Sequence, residues 1–516
     1  MSCCWDCYEG VQRLAGNSSD ASPLKKKVRD ELRFSGKMSG GSVDIRSLML
    51  KPTTSRNWNR YYQKMSALGQ GAFGAVYKVK EKSTGNIRAL KEVQINSDED
   101  QHYVLIELEA MVKLDHPNIL KLYEFYESPR CLYLVTEICT GGDFGELGRS
   151  EFTEKDKSLL FRDVCVALAY CHDQGVAHRD MKFENCLIDF GQEKKRKLAK
   201  LIDFGLAGLQ KGKGNRWMKE QLGTKYWVAP EVVDKKIKYG FECDMWAVGV
   251  MLFILYVDEH PMSENAHCLP QNQLLRKIER GEVRFAVLDR LRINKDLKTL
   301  IHQLLEKNPS RRITAANALK SPWFAEVEGE LRSTLTSGAK QLSGMVSRLR
   351  QFRGYSKYEK AVMALVAHQK RERNVQDLKK AFLALDVERN GTLSESEIIT
   401  ALSDSGIQMD SKEMSEIFQA LDTSEEGKVH IGEWLAATIE PKSLDSDQAM
   451  NQVFDFFDLD HTGKISREEL INVLGNEQEA EEVMRQGDTS GDALISRNEF
   501  KVMMKKIVDK MVRGET

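Results

Sequence analysis

The chain has no run of eighteen or more apolar residues, so no segment meets the length required of a membrane-spanning helix. Its first ten residues, MSCCWDCYEG, lack the apolar core of a secretory signal. Its ten cysteines form no framework, and the CxxC at Cys4 and Cys7 has no second half to complete a zinc site. Reduced thiols and a cytoplasmic setting are the expectation. Net charge is almost absent, at −1. Hydroxyl groups are missing from one stretch: residues 206–223, LAGLQKGKGNRWMKEQLG, hold no serine, threonine or tyrosine before Thr224. At 516 residues the chain is too long for one core and predicts several domains.

The small net charge hides a division. Residues 375–516 carry 30 acidic against 15 basic side chains, which leaves 47 acids and 61 bases in residues 1–374. The two parts should attract each other. The acidic part contains an internal repeat of four twelve-residue loops, DVERNGTLSESE, DTSEEGKVHIGE, DLDHTGKISREE and DTSGDALISRNE. Each places oxygen-bearing side chains at positions 1, 3 and 5 and a glutamate at 12, the spacing by which a tight loop gives a hard Ca2+ ion its oxygens. The candidate ligands, with the seventh residue contributing its carbonyl, fall into four sets. They are Asp386, Glu388, Asn390, Thr392 and Glu397; Asp422, Ser424, Glu426, Lys428 and Glu433; Asp458, Asp460, Thr462, Lys464 and Glu469; and Asp488, Ser490, Asp492, Leu494 and Glu499.

The loops are unequal. The third is nearly complete, and Glu388 in the first is one methylene long for its place. The second, with Ser424, Glu426 and His430, is the poorest; a structural loop that binds little calcium is an equal reading of it. In the fourth, Ala493 occupies the sixth position, where the turn requires φ above zero and favours glycine.

Just before the acidic part, residues 331–374 hold ten basic and two acidic residues. Phe352, Tyr355, Tyr358, Val362, Leu365 and Val366 recur at helical spacing with Arg353, Lys357 and Lys360 between them. That pattern predicts a basic amphipathic helix of the type an acidic calcium sensor grips, whereas charge alone would equally describe a solvated linker.

Upstream, GQGAFGAV at 69–76 has the G-x-G-x-x-G-x-V form, followed by ALKEV with Lys91, a helical stretch with Glu107, HRDMKFEN, IDFG and APE, in the order of the protein kinase signature set. Gly69, Gly71 and Gly74 let the backbone lie against nucleotide phosphates, and Lys91 holds them while paired with a carboxylate, for which Glu107 is the choice and Glu109 the rival. Leu68, Val76, Ala89, Glu137, Cys139 and Asp143 complete the ATP set, with Thr136 as gatekeeper. Asp180 takes the proton of the substrate hydroxyl, Lys182 steadies the transferred phosphoryl group, and Asn185 and Asp203 hold Mg2+.

Over residues 61–512 the chain resembles the calcium-dependent protein kinases of plants and apicomplexan parasites. The resemblance implies a multidomain protein: a bilobal α+β kinase fold at 61–324, an autoregulatory junction at 325–374 and an all-α calmodulin-like domain with EF-hand pairs at 375–441 and 442–516. Residues 1–60 fall outside it and read as a disordered extension. It further implies that the junction restrains the kinase at low calcium and is captured when calcium binds, with Phe352, Val362 and Leu365 as its anchors. Glu220 stands where many kinases carry an activating phosphothreonine and would meet Arg179, supplying part of that charge permanently. Glu184 predicts a preference for arginine on the N-terminal side of the target Ser or Thr. A monomer without nucleic-acid partners is expected.

The sequence departs from the family pattern at several points. Met181 and Phe183 replace a leucine and a proline, residues 189–200 enlarge a basic hairpin, and YVDEHPMSENAHCLP replaces a shorter loop. Ser2 removes the myristoylation signal, leaving Cys3, Cys4 and Cys7 as palmitoylation candidates beside the alternative of an unmodified tail. A catalytically silent kinase fold acting as a calcium-responsive scaffold is the alternative function; the intact Lys91, Asp180, Asn185 and Asp203 speak against it.

Overall fold

A computed structural model describes residues 58–513 except 72–73, 129, 149–151, 191–196, 211–217, 235, 328, 330–338, 370–372, 405–408 and 460–461. Cys3, Cys4, Cys7, Asp460 and the middle of the hydroxyl-free stretch lie outside the described residues. The described chain divides into two units, one of residues 58–105 and 122–138, the other of 106–121 and everything described from Cys139 onward.

The first unit is an antiparallel sheet of order β1-β2-β3-β5-β4, built from β1 (Tyr62–Gly71), β2 (Gly74–Glu81), β3 (Ile87–Gln94), β4 (Leu122–Glu127) and β5 (Cys131–Thr136). Branched and aromatic residues suit such a pleated surface. Tyr62, Val79, Leu90, Tyr123, Tyr126 and Val135 form the core with Trp58. The fully buried Arg88 lies 3.8 Å from the centre of the Tyr123 ring, where the ring face offsets part of the desolvation of its charge. Helix α1 (Asp98–Lys113) opens with three acidic residues that complement the positive end of its dipole, and from Ile106 it belongs to the second unit.

In the second unit, α2 (Glu154–Asp173) starts at a capping box in which Thr153 and Asp156 exchange hydrogen bonds. Two strand pairs follow, β6 (Val176–Ala177) with β9 (Gly208–Leu209) and β7 (Cys186–Asp189) with β8 (Leu198–Leu201); the latter flanks the basic insertion as a hairpin. Helix α3 (Glu242–Val257) is apolar on most faces and accordingly buried.

The junction differs from its sequence expectation. One continuous basic helix is predicted across Phe352 to Val366, but the structure has two, α4 (Ala339–Arg353) and α5 (Lys357–Gln369). The break has a local cause. Ser356 Oγ accepts the Glu359 N–H at 3.2 Å while Ser356 N–H donates to Glu359 Oε2 at 2.8 Å, a capping box that starts a new helix just after Gly354.

Among the described residues eight α-helices follow: α6 (Arg373–Leu385), α7 (Glu395–Asp404), α8 (Ser411–Leu421), α9 (Ile431–Thr438), α10 (Asp447–Phe457), α11 (Arg467–Leu474), α12 (Glu477–Gly487) and α13 (Arg497–Arg513). Between them a short ladder of β10 (Lys464–Ser466) and β11 (Leu494–Ser496) joins the third and fourth loops, and a single bridge, Leu393 to Val429, joins the first and second. Helix α4 packs on α8 and α9, and α5 packs on α9, α10, α11 and α12, so the junction contacts both pairs.

Candidate active site and calcium loops

In the sheet unit, Gly69 lies opposite Val76, and Gly71 opposite Gly74, at the turn between β1 and β2; Leu68 is exposed. Gly74 has φ 147°, and a Cβ there would meet the Glu92 carbonyl oxygen at 1.7 Å, so only glycine fits. Lys91 sits mid-strand on β3 between Val76 and Leu134, and Ala89 pairs with Thr136. Thr136 and Glu137 are buried. In the second unit Glu107 is buried whereas Glu109 is exposed. Cys139 is partly buried, and Asp143 accepts the Gly145 N–H at 2.7 Å.

Around Asp180 the geometry is tight. Its Oδ2 lies 2.6 Å from Lys182 Nζ and 3.0 Å from Asn185 Nδ2, while Oδ1 accepts from the Thr224 backbone N–H at 3.0 Å and the Thr224 hydroxyl at 2.8 Å. Lys182 Nζ also donates to Thr224 Oγ1 at 3.1 Å. Burial works against the Lys182 charge, but Asp180, Asp203 and Glu184 overcome it and raise its pKa. The first hydroxyl after the serine- and threonine-free stretch thus holds the two residues expected to handle the reacting hydroxyl and phosphoryl. Sequence reasoning passed over Thr224 as a site residue, and only its place at the end of that stretch pointed to it.

The loop that carries Asp180 is itself held from below. Arg179 is left-handed at φ 66°, and Asp203 at φ 64°. Asp244, near the start of α3, accepts the backbone N–H groups of His178 (2.9 Å) and Arg179 (2.8 Å) and contacts His172 Nε2 at 2.9 Å. Its full burial would raise its pKa, yet His172, His178 and the Arg179 N–H outweigh that and lower it. His178 Nε2 meets the Ile202 carbonyl at 2.9 Å, next to Asp203. Asp244 was missed in the sequence because an acid in the first turn of a helix is more often a dipole partner.

Arg179 also donates to the Leu206 and Ala207 carbonyls and, through NH1, to Glu220 Oε2 at 3.3 Å. Backbone N–H groups of Glu220 itself and of Lys219, and then Arg179, outweigh partial burial and hold the Glu220 carboxyl below its ordinary pKa. Tyr239 OH fixes the Glu220 carbonyl at 2.6 Å. Met181 is buried and Phe183 packs edge-on against Trp227, so both departures beside the catalytic loop are packing changes. In the replaced loop after α3, Arg284 bridges Glu259 (2.8 Å) and Glu264 (2.5 Å).

The four calcium loops share one scaffold. Position 1 accepts backbone N–H groups from across the turn, as Asp386 does from Asn390 (3.1 Å) and Gly391 (2.8 Å) and Asp458 from Thr462 and Gly463 (both 2.9 Å). The glutamate at position 12 accepts from the opposite side: Glu397 from Glu388 and Ser394, Glu433 from Ser424 and His430, Glu469 from Leu459 and Ser466, Glu499 from Ser490 and Ser496. Lys464 Nζ, exposed, reaches Asp492 Oδ2 of the next loop at 2.6 Å. Apolar position 8, filled by Leu393, Val429, Ile465 and Ile495, is fully buried in each.

The sixth position is left-handed throughout, with φ 74° at Gly391, 72° at Gly427, 84° at Gly463 and 61° at Ala493. The strain expected at Ala493 is therefore present. Position 4 proves left-handed as well, at Arg389 (59°), Glu425 (57°) and Gly491 (79°). The first, second and fourth loops thus each hold one non-glycine residue in this region, and the fourth has exchanged which position bears it. Since a left-handed non-glycine residue costs about 1–2 kcal/mol, Ala493→Gly should tighten one calcium site by about fivefold or more. Calcium titration by calorimetry, variant against parent, checks this, and an unchanged isotherm would mean the Ala493 turn is relaxed.

Residues 62–324 match the family described as protein kinase domain, and residues 375–438 and 447–505 match the EF-hand domain pair. The first implies ATP with Mg2+ and the second implies Ca2+. Calcium-dependent protein kinase 21 of Arabidopsis thaliana is 31% identical over 459 residues, which is 86% of this chain and 83% of that protein. Calcium-dependent protein kinase 5 of Plasmodium falciparum is 33% identical over 340 residues, 65% of this chain and 57% of the relative. Calcium-dependent protein kinase 3 of Plasmodium berghei is 30% identical over 397 residues, 75% of this chain and 66% of that protein. With the kinase motifs, two EF-hand pairs and these relatives in one polypeptide, the chain belongs to the calcium-dependent protein kinase family.

Proposed function

We propose that the protein is a calcium-activated serine/threonine kinase that transfers the ATP γ-phosphate to protein hydroxyls under the control of its junction. The observation that carries the control is the burial of the junction among the EF-hand helices. Phe352 and Val362 are fully buried and Leu365 nearly so. Arg350 makes two bonds to Glu413, Arg353 pairs with Glu416 at 2.7 Å, and Lys360 Nζ reaches the Ala420 carbonyl at 3.1 Å. The basic and acidic halves of the sequence meet here, in an arrangement that suits the captured state; calcium can favour it only by binding that arrangement more tightly than the restrained one.

Asp180, Asn185 and Lys182 form the catalytic group on this reading, Asp203 and Asn185 hold Mg2+, and the glycine-rich turn with Lys91 serves the nucleotide. Glu184 is exposed beside Lys182, which supports a preference for Arg-x-x-Ser/Thr substrates. Among the described residues no helix is long and apolar enough to cross a membrane. The test is phosphate incorporation into arginine-containing and arginine-free peptides, with ATP and Mg2+, in calcium and in chelator. Calcium-dependent turnover with the basic peptide supports the proposal, and no turnover in either condition would favour the silent scaffold.

The Arg179–Glu220 pair predicts that phosphatase-treated enzyme is still fully activated by calcium. Glu220→Lys should lower the maximal rate by up to about fivefold, in line with about 0.2–1 kcal/mol for an exposed ion pair. Loss of calcium activation on phosphatase treatment would overturn this role.

A further inference from the structure

We propose that the second calcium loop is not a calcium site but a calcium-independent docking element that fastens the first EF-hand pair to the helical part of the kinase domain. The inference rests on reading the chain as a calcium-controlled kinase.

Three of the four loops carry serine at position 9, and in each of these Ser394, Ser466 and Ser496 donate their hydroxyl to the position-12 glutamate. The second loop has His430 instead. Its ring is fully buried, and Nε2 lies 3.0 Å from Glu426 Oε2, the carboxylate that should serve calcium at position 5. Asp492 of the fourth loop is also paired, with Lys464, but that lysine is exposed and can swing away. His430 cannot, because its ring stands edge-on to Tyr170 of α2, centroids 6.4 Å apart. With the half-exposed Glu426 turned towards that fixed ring and a neutral Ser424 at position 3, Asp422 and Glu433 are the carboxylates on offer to a cation that wants six to eight oxygens, and Glu426 would have to break its contact with His430 to join them.

What the loop gives up in ligands it gains in contacts to the kinase domain. Lys428, at position 7, pairs with Asp173 at the end of α2 at 2.9 Å. The Gly432 N–H, at position 11, donates to Asp115 Oδ2 at 3.0 Å. Beside it the first loop is pressed onto the same patch: a Cβ on Gly391 would lie 2.6 Å from the Tyr170 ring and 2.7 Å from His116. Arg389 NH1 donates to the Leu319 carbonyl.

The patch leads into the catalytic machinery. Asn118 and Leu120, next along the chain from His116, bond Ala199 and Leu201 of β8, the strand that runs into Asp203. A docking contact that needs no calcium would keep the first pair in place while the other loops respond to the ion.

Calcium calorimetry on the full chain tests this, and it reads metal rather than catalysis, so an inactive enzyme would leave the result standing. Glu469→Gln should lower the number of ions bound by one, and Glu433→Gln should leave it unchanged; a loss of one ion with Glu433→Gln overturns the proposal. The double variant His430→Ser with Glu426→Asp, which gives position 9 the serine of the other three loops and position 5 the aspartate of the fourth, should gain one ion. It should also raise amide exchange around Asp115 and the end of α2 several-fold in chelator. Unchanged exchange there, or protection that arises in the parent only when calcium is added, would overturn the docking role.

Discussion

Asp180→Asn will abolish most phosphoryl transfer while leaving nucleotide binding intact. The loss should be about 10²–10⁴-fold in maximal rate, the range for removing a positioned proton acceptor. The geometry makes the carboxylate hard to replace. Asp180 Oδ1 accepts two bonds from Thr224, and Oδ2 is shared between the Lys182 ammonium at 2.6 Å and the Asn185 amide at 3.0 Å. An asparagine can keep the Thr224 side as an acceptor, but its amide hydrogens would then face Lys182 and Asn185, both donors. The substrate hydroxyl would have no base, and Lys182 would lose its hydrogen-bonded counter-ion, with only the more distant charges of Asp203 and Glu184 left to it. Nucleotide affinity, followed by calorimetry with ATP and Mg2+, should change little. Turnover close to the parent's would overturn the role of Asp180, and loss of ATP binding would show that the substitution had disturbed the metal ligands as well.

Arg312→Ala should strongly destabilise the kinase domain, by about 3–5 kcal/mol, the range for stranding one member of a buried ion pair. Arg312 and Glu231 are essentially inaccessible to solvent. The guanidinium donates twice to the Glu231 carboxylate and also to the carbonyls of Glu242, Glu306 and Lys307, so one side chain ties the APE turn to the start of α3 and to residues 306–307. Its removal leaves a carboxylate in the interior and three carbonyls without their donor. For a domain of this size the thermal midpoint should fall by roughly 6–20 °C. Arg312→Lys should recover little, since a point charge cannot reproduce the planar fork. A shift under about 2 °C in the alanine variant, small against the effect expected from that range, would mean that water enters and solvates Glu231.

Individual residues show where sequence reading reached its limit. Glu231 was legible from its motif, but its partner lies 81 positions away, and nothing in SRRI distinguishes Arg312 from its neighbour Arg311, which is exposed. Ala493 was legible to the level of its dihedral angle, because the loop spacing dictates the turn. The same loops hid the left-handed position 4: a glutamate or arginine there carries no signal, and only Gly491 hinted at it. The junction was read as one helix because hydrophobic periodicity runs through 354–356, although the S-x-x-E of SKYE was a start signal in plain view.

Taken alone, the sequence determined whatever can be read from composition or short spacing: the division of charge, each kinase motif, the four calcium loops and the basic junction that borders the acidic part. Within each motif the residues lie a few positions apart, where chain geometry is fixed by the backbone itself. The tertiary structure alone decided the pairings between distant segments, among them Asp244 under the catalytic loop, Thr224 on Asp180, Arg312 on Glu231 and His430 against Tyr170. Each is a polar or aromatic group whose meaning depends on what burial brings beside it, and burial is a property of the whole fold rather than of any local stretch.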